Sequence, residues 1–196
     1  MKTSKQRFQR LLVLVPHRDV RRQLRSWSAS LFAAGLYGAW SFPWVAPLAK
    51  LNRFLSAEEL KRLARSLRQG VKNAGGKFLA GSSATATLAN ETLFVFGPAL
   101  DIELPDSFFD DASEAVVSPI LPLVLGSAVL FGTRDANNSP IPSPQSTLPK
   151  ISFRAAALAN MSYRVLTSGN SLYFNWKIGP LHWLPKTLPS IRRPTD

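Results

Sequence analysis

Residues 42–51, FPWVAPLAKL, decide how this chain is read. The stretch is apolar enough for a buried strand, yet Pro43 and Pro47 lack the amide donors of a regular ladder. That confines it to an edge, a bulge or an irregular stretch. Upstream, LLVLVP at residues 11–16 is an apolar run without alternation, which fits a central strand covered on both faces. Between the two, Val20, Leu24, Trp27 and Leu31 recur at spacings of four, three and four. This is one face of a helix, with Gly35 as its stop.

Downstream, Ser56 and Glu59 form an S-x-x-E capping box, Leu60, Leu63, Leu67 and Val71 form a buried stripe, and NAGG closes the helix. Its outer side carries Lys61, Arg65, Arg68 and Lys72 at spacings of four, three and four, a continuous cationic ridge. A ridge of this kind can hold phosphates or can simply be a solvated helix face. From residue 77 the pattern turns to strands: KFLAGSSATATL, TLFVFG and then ALDIELP, where Leu100, Ile102 and Leu104 alternate with acids. Asp106 caps a predicted short helix holding Phe108, Phe109, Ala112 and Val116, ended by Pro119. The helix dipole accounts for the acids Asp106, Asp110 and Asp111 near its start, so no metal is assigned there.

LVLGSAVLFG predicts another strand, and residues 133–149 are a Pro-, Ser- and Asn-rich loop without periodicity. ISFRAAALANMSYRVL and SLYFNWKIGPLHWLP are strand-like and joined through the turn TSGN. The element order therefore predicts a mixed α+β domain with mostly antiparallel sheets. A basic arm at residues 1–10, one domain over 11–188 with a flexible loop at 133–149, and a basic tail at 189–196 complete the expected organisation.

Composition sets bounds on function. Cysteine is absent, which removes disulfides, thiolate metal sites and a Cys nucleophile. The opening MKTSKQRFQRLLVLVP is basic, but its apolar run is too short for an export signal, and residues 116–131 are too short and too Pro-rich for a membrane span. A cytoplasmic monomer without a membrane span is expected. Net charge is +12, unevenly spread: residues 1–77 carry 16 Lys and Arg against 3 acids, residues 78–133 carry 7 acids and no Lys or Arg, and residues 134–196 carry 8 against 2. Clustered cations favour a polyanionic partner, because phosphates replace condensed counterions. A basic surface that serves solubility is the competing explanation.

Familiar chemistry is missing. His17 and His182 are the only histidines, and neither stands in a triad or metal signature. GVKNAGGKF at residues 70–78 misses the phosphate-binding loop: the glycine register is off by one, Phe78 replaces the hydroxyl, and a helix precedes the segment. No cofactor is expected.

Taken in order, LLVLVP, a helix, FPWVAPLAKL, the capped helix, FVFGPALDIELP, FRAAALANM and FNWKIG resemble the two-histidine phosphoesterase (2′-5′ RNA ligase-like) superfamily, over residues 11–184. The resemblance implies two βα lobes around a central cleft, each lobe supplying a His-x-Thr/Ser strand motif. Imidazoles would act as acid and base on a phosphate ester whose oxygens the hydroxyls bind. Here Trp44 takes the first histidine position and Ala46 its hydroxyl position; Ala156 and Leu158 take the second pair. Trp, Ala and Leu transfer no protons near neutral pH.

The resemblance thus implies a non-catalytic domain that binds RNA or a phosphorylated nucleotide-type ligand through its basic N-terminal half. Expected ligand-binding residues are Trp44 as a stacking face, the Lys61, Arg65, Arg68 and Lys72 ridge, and Arg154 as a phosphate fork. For Trp44 core packing is the competing role. Two further functions stay open: a phosphodiesterase working through His17 or His182, and a protein-interaction scaffold using the acidic stretch, the proline-rich loop and exposed aromatics.

Overall fold

The apolar run at residues 11–15 becomes the middle of a sheet. A computed structural model describes residues 8–16, 24, 29, 42–73, 78–89, 93–101, 104–130, 152–153, 156–168 and 171–184. In it β1 (Gln9–Pro16) lies between β2 (Ala46–Leu51) and β8 (Ala156–Ser168), antiparallel to both. The first sheet runs β10-β8-β1-β2-β5, with β9 (Ser171–Ile178) also paired to β8, β5 at Val116–Pro119 and β10 at His182–Trp183. A second sheet runs β6-β4-β3-β7, with β3 at Phe78–Ala89, β4 at Leu93–Asp101, β6 at Ser127–Leu130 and β7 at Ser152–Phe153. Every strand pairing among the described residues is antiparallel, and with helix α1 (Ala57–Asn73) the fold is α+β.

Both faces of the first sheet are covered along residues 11–15, which is why β1 needs no polar alternation there. Leu12, Leu14, Ala46, Leu48, Ala49, Leu51 and Leu158 pack beneath Leu60, Leu63 and Leu67 of α1 and beside Phe108. On the other face Leu11, Val13, Val15, Ala159, Met161 and Tyr163 meet Ala86, Leu88 and Val95 of the second sheet. Leu11 through Val15 are all at most 3% exposed. At roughly 1.5–3 kcal/mol for each large side chain, this burial is the main stabilising term.

Pro47 sits at a bulge, not at an edge. Leu12 pairs with Ala49 and Val13 with Pro47, so Leu48 is the extra residue, and its carbonyl accepts from the Ile120 amide at 2.9 Å. The bulge shifts the side-chain alternation by one position, so that Leu48 and Ala49 both reach the helix-side core.

Three expectations change. TLFVFG and ALDIELP are one strand, β4, because Gly97 and Pro98 continue the ladder with β3. Gly97 is needed for close approach: a Cβ there would collide with the Leu125 carbonyl. The predicted short helix is a 3-10 helix over Asp106–Ala112, and Val116 instead opens β5, where Leu51 pairs with it. The strand expected over LVLGSAVLFG is shortened to β6, since Val124 and Gly126 make bridges with Ala99 and Val45 that join the two sheets.

The capping box forms as its spacing requires. The Glu59 amide donates to Ser56 Oγ at 3.2 Å, and the Ser56 amide donates to Glu59 Oε2 at 2.7 Å. Arg53 adds a fork, Nη1 to Oε2 at 3.0 Å and Nη2 to Oε1 at 2.8 Å. That fork first, and the Ser56 amide second, hold the Glu59 carboxyl down at about 2. Further upstream Leu24 and Ala29 are helical, Leu24 buried and Ala29 exposed; the remainder of that predicted helix lies outside the described residues.

Candidate cationic face on the helix side

Helix α1 packs on the same face of the first sheet that carries Arg10 and Ser162 beyond the end of the helix. On α1, Lys61 and Arg65 are exposed and Arg68 is half-buried. Lys72 belongs to the last turn of the helix. The expected ridge is narrower than its spacing implies: Lys61 Nζ is held by Glu58 Oε1 at 2.8 Å, which lowers the Glu58 carboxyl. Arg62 approaches Asp111 at 3.9 Å, bringing the acidic 3-10 helix alongside α1. Arg65 and Arg68 remain the cations of α1 with no ion pair among the described residues, and Arg68 Nε is buried without an acceptor.

The two segments carrying the expected degenerate motifs are neighbours of one strand. Leu14 of β1 pairs with Ala46 on one side and Leu158 on the other, and Leu158 pairs in turn with His182 of β10. Ala156 pairs with Pro16. Ala46, Leu14 and Leu158 are at most 1% exposed and lie under α1, so a helix and not an open cleft covers them. A threonine hydroxyl at either place would be buried among leucines and would need an internal acceptor. Trp44, two residues before Ala46, is half-buried and packs against the same cluster. Arg154, His17 and residues 133–149 lie outside the described residues.

Near its start, β1 leaves the helix behind. The border is Asn160, whose Oδ1 accepts from the Leu55 amide at 3.0 Å while its Nδ2 donates to the Leu55 carbonyl at 2.7 Å. One amide side chain thus satisfies both backbone groups of the residue that leads into α1. Asn160 pairs with Leu12; beyond that row α1 no longer covers the sheet, and the side chains there run from half-buried Arg10, Ser162 and Arg164 to exposed Asn175 and Lys177. Arg10, Ser162 and Lys177 form the next row across β1, β8 and β9, and Arg164 pairs with Asn175 one row further out. All share the face of Leu12, because they follow it at intervals of two.

Two guanidinium groups on this open face lie over aromatic rings. Arg10 sits 5.5 Å from the centroid of Phe54, and Arg164 sits 5.0 Å from that of Phe8. Arg10 Nη1 also donates to the Asn52 carbonyl at 2.6 Å, and Asn52 Nδ2 in turn donates to the Glu114 carbonyl at 2.8 Å. Phe8 and Phe54 are 45% and 47% exposed, far above what core phenylalanines show. Among the described residues no carboxylate forms an ion pair with Arg10, Arg164 or Lys177, while Glu59, Glu58 and Asp111 are already engaged by Arg53, Lys61 and Arg62.

Comparison with protein-family models, with curated proteins and with solved structures returns no match for this chain. No three of His, Asp and Glu come together as a metal set among the described residues, and no described helix is long and apolar enough to cross a membrane.

The sequence marked Lys61, Arg65 and Arg68 through helical spacing, but it missed Arg10, Arg164 and Lys177. Those three lie 154 and 13 residues apart in the chain and meet only through strand register. The alternation of Phe8, Arg10, Leu12 and Leu14 was the available signal: a strand whose one face changes from apolar to basic extends past its cover.

Proposed function

We propose that this chain is a non-catalytic, phosphoesterase-like α+β domain that binds RNA or a phosphorylated nucleotide-type ligand on its basic helix-side surface. One observation carries the reading. Arg10, Arg65, Arg68, Arg164 and Lys177 belong to α1 and to the sheet face it packs on, and none of them forms an ion pair among the described residues. Unneutralised cations on one face concentrate field and gain affinity by releasing counterions from a polyanion. The pseudo-equivalent placement of Ala46 and Leu158 on either side of Leu14 supports kinship between the two segments. Apolar side chains at both hydroxyl positions, buried under α1, support binding without turnover.

Affinity for a labelled RNA should fall steeply with salt, with a slope that scales with the number of phosphates held. Reversing Arg65 and Arg68 to Glu should flatten that slope and weaken binding; RNA affinity undetectable at low salt refutes the reading. A second reading draws on His182, which pairs with Leu158 and so stands in the row of the second motif. Cyclic phosphodiesterase turnover abolished by His182→Ala would establish it; turnover that is absent, or unchanged in that variant, excludes it.

A further inference from the structure

The open end of the first sheet has a makeup different from the α1 ridge. Its described side chains combine flat rings, forked cations and small amides or hydroxyls on one pleated surface: Phe8, Phe54, Arg10, Arg164, Ser162 and Asn175, bordered by Lys177. We infer that this sheet end is a stacking platform for an unpaired nucleic-acid strand, its bases lying on Phe8 and Phe54 and its phosphates on Arg164 and Lys177. The inference rests on the phosphate-ligand reading above for its ligand class, but it places the contact on the sheet instead of on the helix.

Three features carry it. First, the rings are held in place before any ligand arrives, because each has a guanidinium over it at 5.0–5.5 Å. Arg10 is itself anchored to the Asn52 carbonyl, so the Phe54 pair is fixed at both ends. A ring that is already positioned loses little entropy when a base stacks on it, and every base has a π-face to offer. Second, the cations are unspent: Arg164 and Lys177 have no ion pair among the described residues, and Arg164 Nε is buried with no acceptor. Third, Ser162 and Asn175 lie between the cations, and Asn175 and Lys177 are exposed. Hydroxyl and amide groups at these positions match base edges and sugar hydroxyls, whereas acyl chains would leave them unsatisfied.

A duplex fits less well, since its bases are already stacked and cannot lie on protein rings. The sequence just before Phe8 is basic: residues 1–7 include Lys2, Lys5 and Arg7 and no acid.

The test uses the full chain and fluorescence anisotropy with four probes: a labelled single-stranded RNA 20-mer, the DNA strand of the same sequence, the matching duplex, and vesicles of phosphatidylcholine with phosphatidylserine. Binding of either unpaired strand in preference to duplex and vesicles is expected. Phe8→Ala with Phe54→Ala should weaken strand binding about tenfold or more while leaving the salt slope unchanged, because stacking is lost and charge is kept. Lys177→Glu, at an exposed position that the fold does not depend on, should weaken binding and reduce the slope by about one or more. It remains informative if the aromatic variant fails to fold.

Wild-type affinity that survives both sets of substitutions but is lost in Arg65→Glu/Arg68→Glu overturns the platform and leaves the phosphate-ligand reading standing. Binding to vesicles with none to either strand identifies a membrane surface and overturns it too. Absence of binding to any nucleic acid overturns both.

Discussion

Arg10 and Leu14 stand on the same face of the same strand, four residues apart, in opposite environments. Leu14 has Ala46 and Leu158 beside it and α1 above it, and it is 1% exposed. Arg10 has Leu51 on one side, Ser162 and then Lys177 on the other, and a phenylalanine ring beneath its guanidinium. Strand geometry is the same in both places; only the cover differs. The place where α1 begins, fixed by Asn160 on Leu55, therefore determines which part of the face is core and which part can meet a ligand.

The contrast breaks if the two positions respond alike to truncation. Leu14→Ala leaves a cavity between α1 and the sheet and should cost about 3–5 kcal/mol, read as a lowered denaturation midpoint at unchanged slope. Arg10→Ala should cost under about 1 kcal/mol, since its ring contact with Phe54 and its hydrogen bond to Asn52 lie beyond the cover of α1. Equal losses at the two sites would show that the sheet end is structural and not a free face. Next in size is Asn160→Ala, which strips the Leu55 amide and carbonyl of their partners. It should destabilise by about 2–4 kcal/mol, the cost of two partly buried backbone groups left unmade. Hydrogen exchange should then rise at residues 55–60 before it rises in β1, because the start of α1 loosens first. Uniform exchange across both elements would place the border elsewhere.

How far the sequence could be read follows the range of each interaction. Ser56 and Glu59 are three residues apart, and their box is visible because helix capping is local. The run at residues 11–15 is likewise visible as a strand covered on both faces, since it lacks polar alternation. Pro47 signalled irregularity, and the bulge at Leu48 is that irregularity. The edge reading fails because β5 pairs with β2 beyond it. Phe108, Ala112 and Val116 follow helical spacing, yet Leu51 claims Val116 as a strand partner from 65 residues away. Asn160 in FRAAALANM is the clasp of α1, and nothing local marks it, because its partner is 105 residues away. Long-range register, which carries the candidate site, leaves only a change of pattern along β1 as its trace.

A loss smaller than those at Leu14 and Asn160 tests the clasp from the side of the helix. Glu59 accepts from the Ser56 amide and from both arms of the Arg53 fork, and only the charged carboxylate has both oxygens free to serve all three. Its carboxyl is held at about 2, against an ordinary value of 4.5, so the folded state binds this proton less readily than the unfolded chain does. The contribution is therefore complete above about pH 5 and is lost as pH falls from 4.5 toward 2. Glu59→Gln keeps one acceptor and gives up the charge, which should cost about 1.5 kcal/mol at neutral pH. Its stability curve should then lie below that of the wild type at pH 7 and converge with it near pH 2, because acid removes from the wild type what the substitution has already removed. Curves that stay parallel through this window would mean that the Arg53 fork adds nothing to the folded state, and that Asn160 alone marks where the covered face of the sheet ends.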